Sequence, residues 1–457
     1  MNDFETLAAR VDGTVIRPGD DGYDGERVGY QLAGPHRPEL IVAAVSASDV
    51  RAAVEYAGAH GLPVAVQATG HGMPADATGG LLISTRRMTG LSVDAGSRTA
   101  WVEAGVRWAE VVQEAARHGL APLNGSYPGV GAVSYTLGGG VGLLARRYGN
   151  AADRVRRVEV VTADAALRTV TPDTDPDLFW ALRGGRGNFG VVTGMEIELV
   201  PVDTIYGGGL YFDTDLAAEA LRTFREWSAG VPDEMTSSIA LMPFPDVPQI
   251  PEVFRGRHVA HIRIAYAGDP AEGERLVAPL RALGPRLIDT VETMPYAKSA
   301  TIHNEPDQPM AYRSSHVLLN ELSAESVQAV LDLTGPGAPE RAIVEVRHLG
   351  GALAAAPAIP SAVGHRGAQY LIGVLTKLEP SETPGAPEPV HGAFADVMKP
   401  WATGGRHLNF LFGDNATEEQ VRAAYEPEDY RRLAELKAVY DPRDMFRLTH
   451  HIRPAAS

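Results

Sequence analysis

One histidine of the chain stands where its side chain could do chemistry. His71 lies between Gly70 and Gly72, directly after the apolar run Val64–Gln67, which is typical of a buried strand. Glycines at such a turn permit backbone angles that other residues resist, and they let a flat ligand approach the main chain. A histidine after a strand is also a common hydrogen-bonded core or surface residue. The turn alone therefore leaves both interpretations open.

Two glycine-rich stretches could bring further backbone amides to a ligand. They are Pro128-Gly129-Val130-Gly131 and Leu137-Gly138-Gly139-Gly140-Val141-Gly142. Successive glycines leave N–H groups unshielded by side chains, and such backbone can bind a diphosphate. A tight packing turn has the same composition, so a ligand site and a packing turn are equally good interpretations.

A third run, Gly185–Gly190, matches the G-x-G-x-x-G pattern of dinucleotide-binding proteins. The segment 177–182 before it predicts a helix, and the segment 191–199 after it predicts a strand. The dinucleotide motif needs the opposite order, because the N-terminus of the following helix must face the phosphate. We therefore reject a Rossmann site and expect only a turn whose backbone approaches a cofactor.

Polar residues also alternate with apolar ones in two segments predicted as strands. In the segment 407–412, His407 and Asn409 would share one face, and in the segment 342–349, Glu345 and Arg347 would share one face. These side chains would face either a bound molecule or solvent, and the pattern does not decide between the two.

Composition excludes several classes of function. The chain has 41 basic and 57 acidic residues, and this net charge of -16 argues against nucleic acid or an anionic membrane as the partner. The absence of cysteine excludes disulfides, thiolate metal sites and cysteine nucleophiles, and we expect no metal. The first residues have no signal-peptide pattern and no run of about 18 apolar residues follows, so we expect a cytoplasmic protein outside the membrane.

Together these motifs resemble those of the FAD-linked oxidases of the vanillyl-alcohol oxidase superfamily, and within it the berberine bridge enzyme branch. The resemblance rests on the Gly70-His71 turn, the two glycine stretches above, Asp177-Leu178-Phe179-Trp180-Ala181-Leu182-Arg183-Gly184-Gly185, Gly187-Asn188-Phe189-Gly190-Val191-Val192-Thr193, and Tyr440-Asp441-Pro442 with Phe446.

The resemblance implies an α+β fold with a two-part FAD-binding domain. Its N-terminal part would comprise residues 1–200, and its C-terminal return would comprise residues 405–457. Residues 201–404 would form an inserted substrate-binding domain, built on an antiparallel sheet with helices, whose sheet covers the flavin ring.

The resemblance also implies that FAD is the cofactor and that His71 is bonded to it. Many relatives have a second bond through a cysteine just before Pro128. This chain has Tyr127 there, and a phenol cannot form the thioether, so we expect attachment through His71 only. The other residues expected to bind the cofactor are Thr69, Gly70, Gly72, Met73, Pro128, Val130, Gly131, Gly138, Gly139, Gly140, Gly142, Gly187, Asn188, Gly190, Val191, Val192 and Asn409.

The implied reaction moves a hydride from a small-molecule alcohol, amine or natural-product intermediate to flavin N5. Reoxidation by O2 would then give hydrogen peroxide. Val130 matches a position where oxidases of the family have a small aliphatic residue that leaves oxygen a path to the flavin, which favours an oxidase. The alternatives are a natural-product tailoring enzyme that catalyses cyclisation, dehydrogenation or hydroxylation, and a flavoprotein without turnover.

The expected proton acceptor departs from the family pattern. Relatives often have Tyr-x-Asn where this chain has His407-Leu408-Asn409. Either His407 takes the proton, with a pKa suited to neutral pH, or Tyr370 does. The further candidates are Tyr127, Tyr312 and Glu345. Substrate identity and oligomeric state are not predicted, because substrate-domain side chains vary freely on a shared fold.

Overall fold

The computed structural model describes residues 3–74, 77–378 and 389–456. Its strands are β1 Thr14–Ile16, β2 Leu40–Ala43, β3 Val64–Gln67, β4 Leu81–Ser84, β5 Leu91–Asp94, β6 Thr99–Glu103, β7 Val155–Val161, β8 Leu167–Val170, β9 Val191–Glu198, β10 Thr204–Phe212, β11 Met235–Pro243, β12 His258–Tyr266, β13 Ile288–Asp289, β14 Glu292–Pro295, β15 Tyr312–Leu319, β16 Ile343–His348 and β17 Tyr370–Lys377.

The α-helices are α1 Asp3–Ala8, α2 Tyr23–Arg27, α3 Ala47–His60, α4 Trp108–Ala116, α5 Ala132–Leu137, α6 Ala145–Tyr148, α7 Pro176–Leu182, α8 Thr214–Ser228, α9 Pro270–Arg281, α10 Ala324–Thr334, α11 Pro389–Met398, α12 Glu418–Arg422 and α13 Pro427–Tyr440. Short 3-10 turns are Ala151–Arg154, Arg186–Asn188, Tyr296–Thr301, Gly351–Leu353 and Leu408–Phe410. The proline-rich segment Pro380–Pro389, whose composition predicts a loop, lies, up to residue 388, outside the described residues. Across the described residues, no helix is long and apolar enough to cross a membrane.

Two sheets lie in the N-terminal part of the chain. In the first, β2 and β3 both run parallel to β4, and β1 is antiparallel at the edge. Every residue of β2 and β4 is buried, as the continuous apolar runs of parallel strands predict. The second sheet has five antiparallel strands in the order β5-β6-β9-β7-β8. Strand β3 ends at Gln67, so His71 lies in the turn that follows, at one edge of the first sheet.

The largest sheet is antiparallel, with strand order β13-β10-β12-β11-β16-β17-β15 and β14 paired to β10. Helices α8, α10 and α11 contribute to a hydrophobic core on one of its faces, which also contains Val344 and Val346. Because side chains alternate along a strand, Glu345 and Arg347 point to the opposite face. This sheet with helices on one side confirms the α+β fold predicted from the resemblance.

The end of the chain packs back onto the N-terminal part. Leu433 of α13 packs in one hydrophobic core with Phe179 and Phe189. Asn188 binds the backbone of residues near the end of the chain. Its Nδ2 donates to the carbonyl oxygen of His450 (2.9 Å), and its Oδ1 accepts the N–H of Ile452 (2.9 Å).

One predicted strand is wrong. The segment 407–412 contains a 3-10 turn at Leu408–Phe410, because the Nδ1 atom of His407 accepts the N–H of Asn409 (3.3 Å) and caps that turn. The side-chain amide of Asn409 meanwhile donates to the carbonyl oxygen of Tyr135 (3.0 Å). His407 and Asn409 therefore do not share the face of a strand.

Candidate cofactor and substrate site

A cavity of about 570 Å³ lies between the N-terminal part, the C-terminal return and the polar face of the large sheet. Small-molecule sites commonly enclose about 300–1,000 Å³. The turn after β3 and the start of β9 form one wall, and strands β11, β15, β16 and β17 form the opposite one. The cavity thus has a wall from each of the two regions that were predicted to hold cofactor and substrate.

His71 lies in the wall of this cavity and is held by one neighbour. Its Nδ1 atom is 2.9 Å from the Oγ1 of Thr69, which also accepts the N–H of Gly131 (3.2 Å). The Nε2 atom of His71 is buried and has no hydrogen-bond partner among the described residues. The ring stacks on Tyr30, with ring centres 4.1 Å apart, and Tyr127 is tilted against it at 5.3 Å.

Burial keeps this imidazole uncharged. Loss of solvent, and then the nearby charge of Arg107, lowers the pKa of His71 to about 3. The ring is therefore neutral at physiological pH and keeps a lone pair, which is the form in which histidine acts as a nucleophile.

The predicted cofactor residues divide into two groups. Those that line the cavity, besides His71, are Gly70, Gly72, Met73, Val130, Gly187, Gly190, Val191, Val192 and Asn409. Those that do not line it are Thr69, Pro128, Gly131, Gly138, Gly139, Gly140, Gly142 and Asn188. Thr69 and Asn188 bind neighbouring residues, Thr69 at His71 and Asn188 at the backbone of His450 and Ile452. The other members of the second group belong mainly to turns.

The second glycine stretch is largely a packing turn. A Cβ atom on Gly142 would collide with the carbonyl oxygen of Asn124, and one on Gly138 would collide with Oδ1 of Asn409. Gly140 has φ 76°, in the left-handed region that favours glycine. Contacts within the protein therefore explain why Gly138, Gly140 and Gly142 are glycines, and binding of FAD by the backbone of this stretch stays a prediction.

Tyr370 lies on the wrong face of the sheet to act as a base. It belongs to the core beneath the helices, and its hydroxyl is 3.0 Å from Oγ of Ser228. Its neighbour Leu371 faces the cavity instead. Because adjacent strand residues point to opposite faces, Tyr370 is removed from the candidate bases.

His407 does not line the cavity and does not have the pKa that was expected. Its Nδ1 atom accepts a backbone N–H, so the neutral ring carries its proton on Nε2, where it cannot accept another. Burial, and then the charges of Arg186 and Arg347, lowers the pKa of His407 to about 3. The expectation of a pKa suited to neutral pH is therefore wrong.

The two candidate tyrosines of the cavity hold their protons firmly. The Tyr127 hydroxyl donates to the carbonyl oxygen of Asp307 (3.3 Å), and the Tyr312 hydroxyl donates to that of His71 (3.4 Å). Burial raises the pKa of both phenols above the ordinary value. Both side chains line the cavity as protonated hydrogen-bonding groups.

Glu345 faces the cavity as an anchored carboxylate. Its Oε1 accepts from Nη1 of Arg263, and its Oε2 accepts from Nε of Arg347 (2.7 Å). Burial raises the pKa of Glu345, but the charges of Arg347 and Arg263 outweigh burial and hold this pKa below its usual range. The three side chains form a polar group opposite the His71 wall.

Sequence reasoning missed several residues of the cavity. Tyr135 is half-buried there, and its hydroxyl is buried without a partner among the described residues. Arg186 lines the same cavity, as do Tyr30 and Arg263. Arg186 could have been identified from the sequence, because it is an arginine inside a run of glycines. Tyr30 and Arg263 lie in segments without any motif.

These groups fit FAD. A neutral imidazole with a free ring nitrogen, an unpartnered tyrosine hydroxyl and a guanidinium face one cavity, together with backbone at Gly72 and Gly187. A Cβ atom on Gly187 would have only Oγ1 of Thr449 nearby, at 3.7 Å, so main chain is open to a ligand there.

Comparison with known proteins agrees with this geometry. A family model described as FAD binding domain matches residues 38–171, and one described as berberine and berberine like matches residues 408–453. The (R)-6-hydroxynicotine oxidase of Paenarthrobacter nicotinovorans is 30% identical, over 98% of this chain and 98% of its own. An uncharacterised FAD-linked oxidoreductase of Bacillus subtilis is 28% identical, over 97% of this chain and 98% of its own.

Solved structures have the same fold. The crystal structure of 6-hydroxy-D-nicotine oxidase from Arthrobacter nicotinovorans superposes with a TM-score of 0.85 at 27% identity, and covers 97% of this chain and 98% of that one. A berberine bridge enzyme-like protein of Physcomitrella patens reaches 0.85 at 20% identity, over 99% of both chains.

Proposed function

Because the chain belongs to the berberine bridge enzyme-like branch of the vanillyl-alcohol oxidase superfamily, whose members are FAD-linked oxidoreductases, we propose that it oxidises a small molecule in the cavity and passes the electrons to O2. Bound FAD supplies the redox chemistry: it accepts a hydride from a substrate carbon, and the electrons then reduce O2 to hydrogen peroxide. The observation that carries the proposal is the neutral ring of His71 in the wall of that cavity, whose Nε2 atom has no hydrogen-bond partner in the part of the chain that the structure describes.

We further propose that residues 1–200 and 405–457 form the FAD-binding domain, with residues 201–404 as the substrate domain. One hydrophobic core supports this division, since it joins Phe179 to Leu433 and Ile452.

His71 is proposed as the sole covalent anchor of FAD. Thr69 holds its Nδ1 side, and burial keeps the ring neutral. Tyr127 lies beside the ring, at the position where relatives carry a second attachment, and a phenol forms no thioether. The remaining cofactor contacts come from the cavity-lining residues named above.

Glu345 and Arg347 are proposed to bind and orient the substrate from the sheet side. The carboxylate is fixed by two guanidinium groups, so it accepts a hydrogen bond from a substrate hydroxyl or amine without becoming protonated. Phe410 and Phe412 line the cavity nearby and supply apolar surface.

The acid–base character of the cavity favours an amine over an alcohol. An alcohol must lose its hydroxyl proton as its carbon is oxidised, whereas an uncharged amine can lose a hydride without a base. The imidazoles of His71, His303 and His316 all have a pKa far below neutrality because they are buried. The relative named as an oxidase of 6-hydroxynicotine acts on an amine.

Stopped-flow reduction with a panel of amines and alcohols, in the absence of O2, tests the proposal. We expect amines to reduce the flavin faster, with a rate that rises with pH through each amine's own pKa. A rate that rises at one pH for every substrate would instead identify a base on the protein and contradict the amine assignment. Fast reduction followed by negligible O2 uptake and no peroxide would contradict the oxidase assignment.

A further inference from the structure

Arg186 keeps a side chain where glycine would be easier to accommodate. Its φ is 55°, in the left-handed region that few non-glycine residues adopt. Its neighbours Gly184, Gly185 and Gly187 are all glycines. The chain therefore has an arginine at a position with a strained backbone. Backbone strain of this kind is concentrated at functional sites.

The guanidinium of Arg186 lies in the wall of the cofactor cavity. Its Nη2 donates to the carbonyl oxygen of Leu408 (3.1 Å) and to Oδ1 of Asn409 (2.9 Å). Its Nε is buried and has no partner among the described residues. A Cβ atom on Gly138 would lie only 2.9 Å from Nε, so the glycine there leaves room for this side chain, and Gly72 lies beside the other end of the guanidinium.

The positive charge of Arg186 has no protein counter-ion in the described part of the chain, where no carboxylate lies within 4.0 Å of it. Its two acceptors are an amide and a carbonyl oxygen, which carry no net charge. Burial lowers the pKa of Arg186 to about 10, so the group stays protonated at neutral pH. A buried charge is costly unless it is paired, and this one faces a cavity that takes a ligand.

We propose that Arg186 is the counter-ion of an anionic group of bound FAD. The inference rests on FAD occupying the cavity. FAD carries negative charge on its diphosphate in every redox state, and its ring becomes anionic on reduction. Both groups are anions that a guanidinium binds well, and the experiment distinguishes them.

The test compares purified holoprotein of the wild type with three variants. Arg186→Gln removes the charge, Arg186→Lys keeps it, and Arg186→Gly removes it together with the backbone strain. Arg98 provides a matched control, because it also has a positive φ (53°) but is solvent-exposed. The measurements are flavin content per chain, the midpoint potential of the flavin and the thermal midpoint.

If Arg186 pairs with the diphosphate, Arg186→Gln and Arg186→Gly lower the flavin content several-fold, and the flavin that remains keeps its potential. If it pairs with the reduced ring, the flavin content is kept and the potential becomes more negative. For a two-electron couple, a tenfold weaker stabilisation of the reduced form corresponds to about 30 mV. In either case Arg186→Lys retains most of the wild-type value, and Arg98→Gly changes neither quantity.

Flavin content and potential that are both unchanged in Arg186→Gln would overturn the proposal. Arg186→Gly keeps the test valid if the glutamine variant folds poorly, because glycine adopts this backbone conformation without strain. A wild-type protein that contains no flavin would instead contradict the assignment of FAD to the cavity, so the two failures are distinguishable.

Discussion

The orientation of His71 depends on a single hydroxyl group. Oγ1 of Thr69 contacts Nδ1 of the imidazole and also accepts the N–H of Gly131, so it links the turn after β3 to the start of α5. Tyr30 stacks on the ring and limits its rotation. A ring fixed in this way presents the same nitrogen to the cofactor in every molecule, which is the kind of preorganisation that a covalent attachment needs.

Replacing Thr69 by valine keeps the shape of the side chain but removes this hydroxyl. We expect Thr69→Val to lower the fraction of chains with acid-stable flavin several-fold, since the imidazole loses the partner that orients it. Thr69→Ser keeps the hydroxyl and should retain most of the attachment. The measurement is flavin absorbance in the acid-precipitated protein, and equal fractions in both variants would contradict this role.

The sequence predicted the position of individual side chains best where that position follows from a local turn. The glycines around His71 indicated that it is presented to a ligand, and the structure places it in the cavity wall. The prediction of Tyr370 as a base was wrong, because a shift of one residue along a strand moves the side chain to the opposite face of the sheet. The low pKa of His407 was not predictable either, since it arises from burial and from Arg186 and Arg347, which are distant in sequence.

The C-terminal return is fastened by a buried ion pair. Nζ of Lys437 lies 2.6 Å from Oδ2 of Asp441, and both side chains are fully buried. Lys437 also donates to the carbonyl oxygen of Asn188 (2.8 Å), and Asp441 accepts the N–H groups of Met445 and Phe446 (2.8 Å each). The Tyr440-Asp441-Pro442 motif thus joins the end of helix α13, through Lys437, to Asn188 in the N-terminal part of the chain.

Lys437→Met leaves the carboxylate of Asp441 buried without its cation. Breaking one side of a buried pair costs about 3–5 kcal/mol, so we expect the free energy of unfolding to fall by roughly that amount. Urea unfolding followed by circular dichroism measures it. Arg431→Met, on the exposed side of the same helix, is the control and should change stability by less than about 0.5 kcal/mol. A loss as small as that of the control would contradict the fastening role.

At the element scale, periodicity predicted most strands and helices well. Alternation of apolar and polar residues predicts strands at 259–266 and 370–376 as well as at 342–349, and these correspond to β12, β16 and β17 within one residue. The sequence before Ala59 predicts a helix that Ser48 or Asp49 could cap. Helix α3 is instead capped by Ser46, and Asp49 accepts the N–H groups of Asp12, Gly13 and Val45. Long-range contacts of this kind decide which of several polar residues caps a helix.

Over the whole molecule, several histidines are buried in the neutral form. Burial lowers the pKa of His36 to about 4 and that of His348, His407 and His450 to about 3. In the unfolded chain a histidine has a pKa of about 6.5. The unfolded state therefore binds more protons below that pH, so stability is fully present above about pH 6.5 and is lost as the pH falls toward the folded pKa.

We expect the free energy of unfolding to fall steeply between about pH 6.5 and pH 4, by about 1.4 kcal/mol per pH unit for each such histidine. Urea midpoints over this range measure the slope. His36→Gln should reduce the slope by about 1.4 kcal/mol per pH unit, the contribution of one proton. His118→Gln, at an exposed position, should leave the slope unchanged. A flat profile in the wild type would contradict the neutral burial of these side chains.

The cavity draws its walls from distant parts of the chain, including Gly72, Val192, Arg347 and Asn409. Unfolding separates these walls, so it would release a cofactor bound between them unless that cofactor is bonded to the chain. The glycine turn indicated that His71 is presented to a ligand, and the resemblance implied that the sheet of residues 201–404 covers the flavin. The individual side chains that meet across the cavity were not predictable, because no local pattern records which segments face one another there.

The most direct test of the central claim is to unfold and precipitate the purified protein with acid and to measure where the flavin goes. We predict that the yellow colour stays with the precipitated wild-type chain, that proteolysis places it on the peptide containing His71, and that His71→Ala releases it while remaining folded before the acid step. Yellow colour in the supernatant of the wild type, with a colourless precipitate, would contradict the claim that His71 anchors FAD.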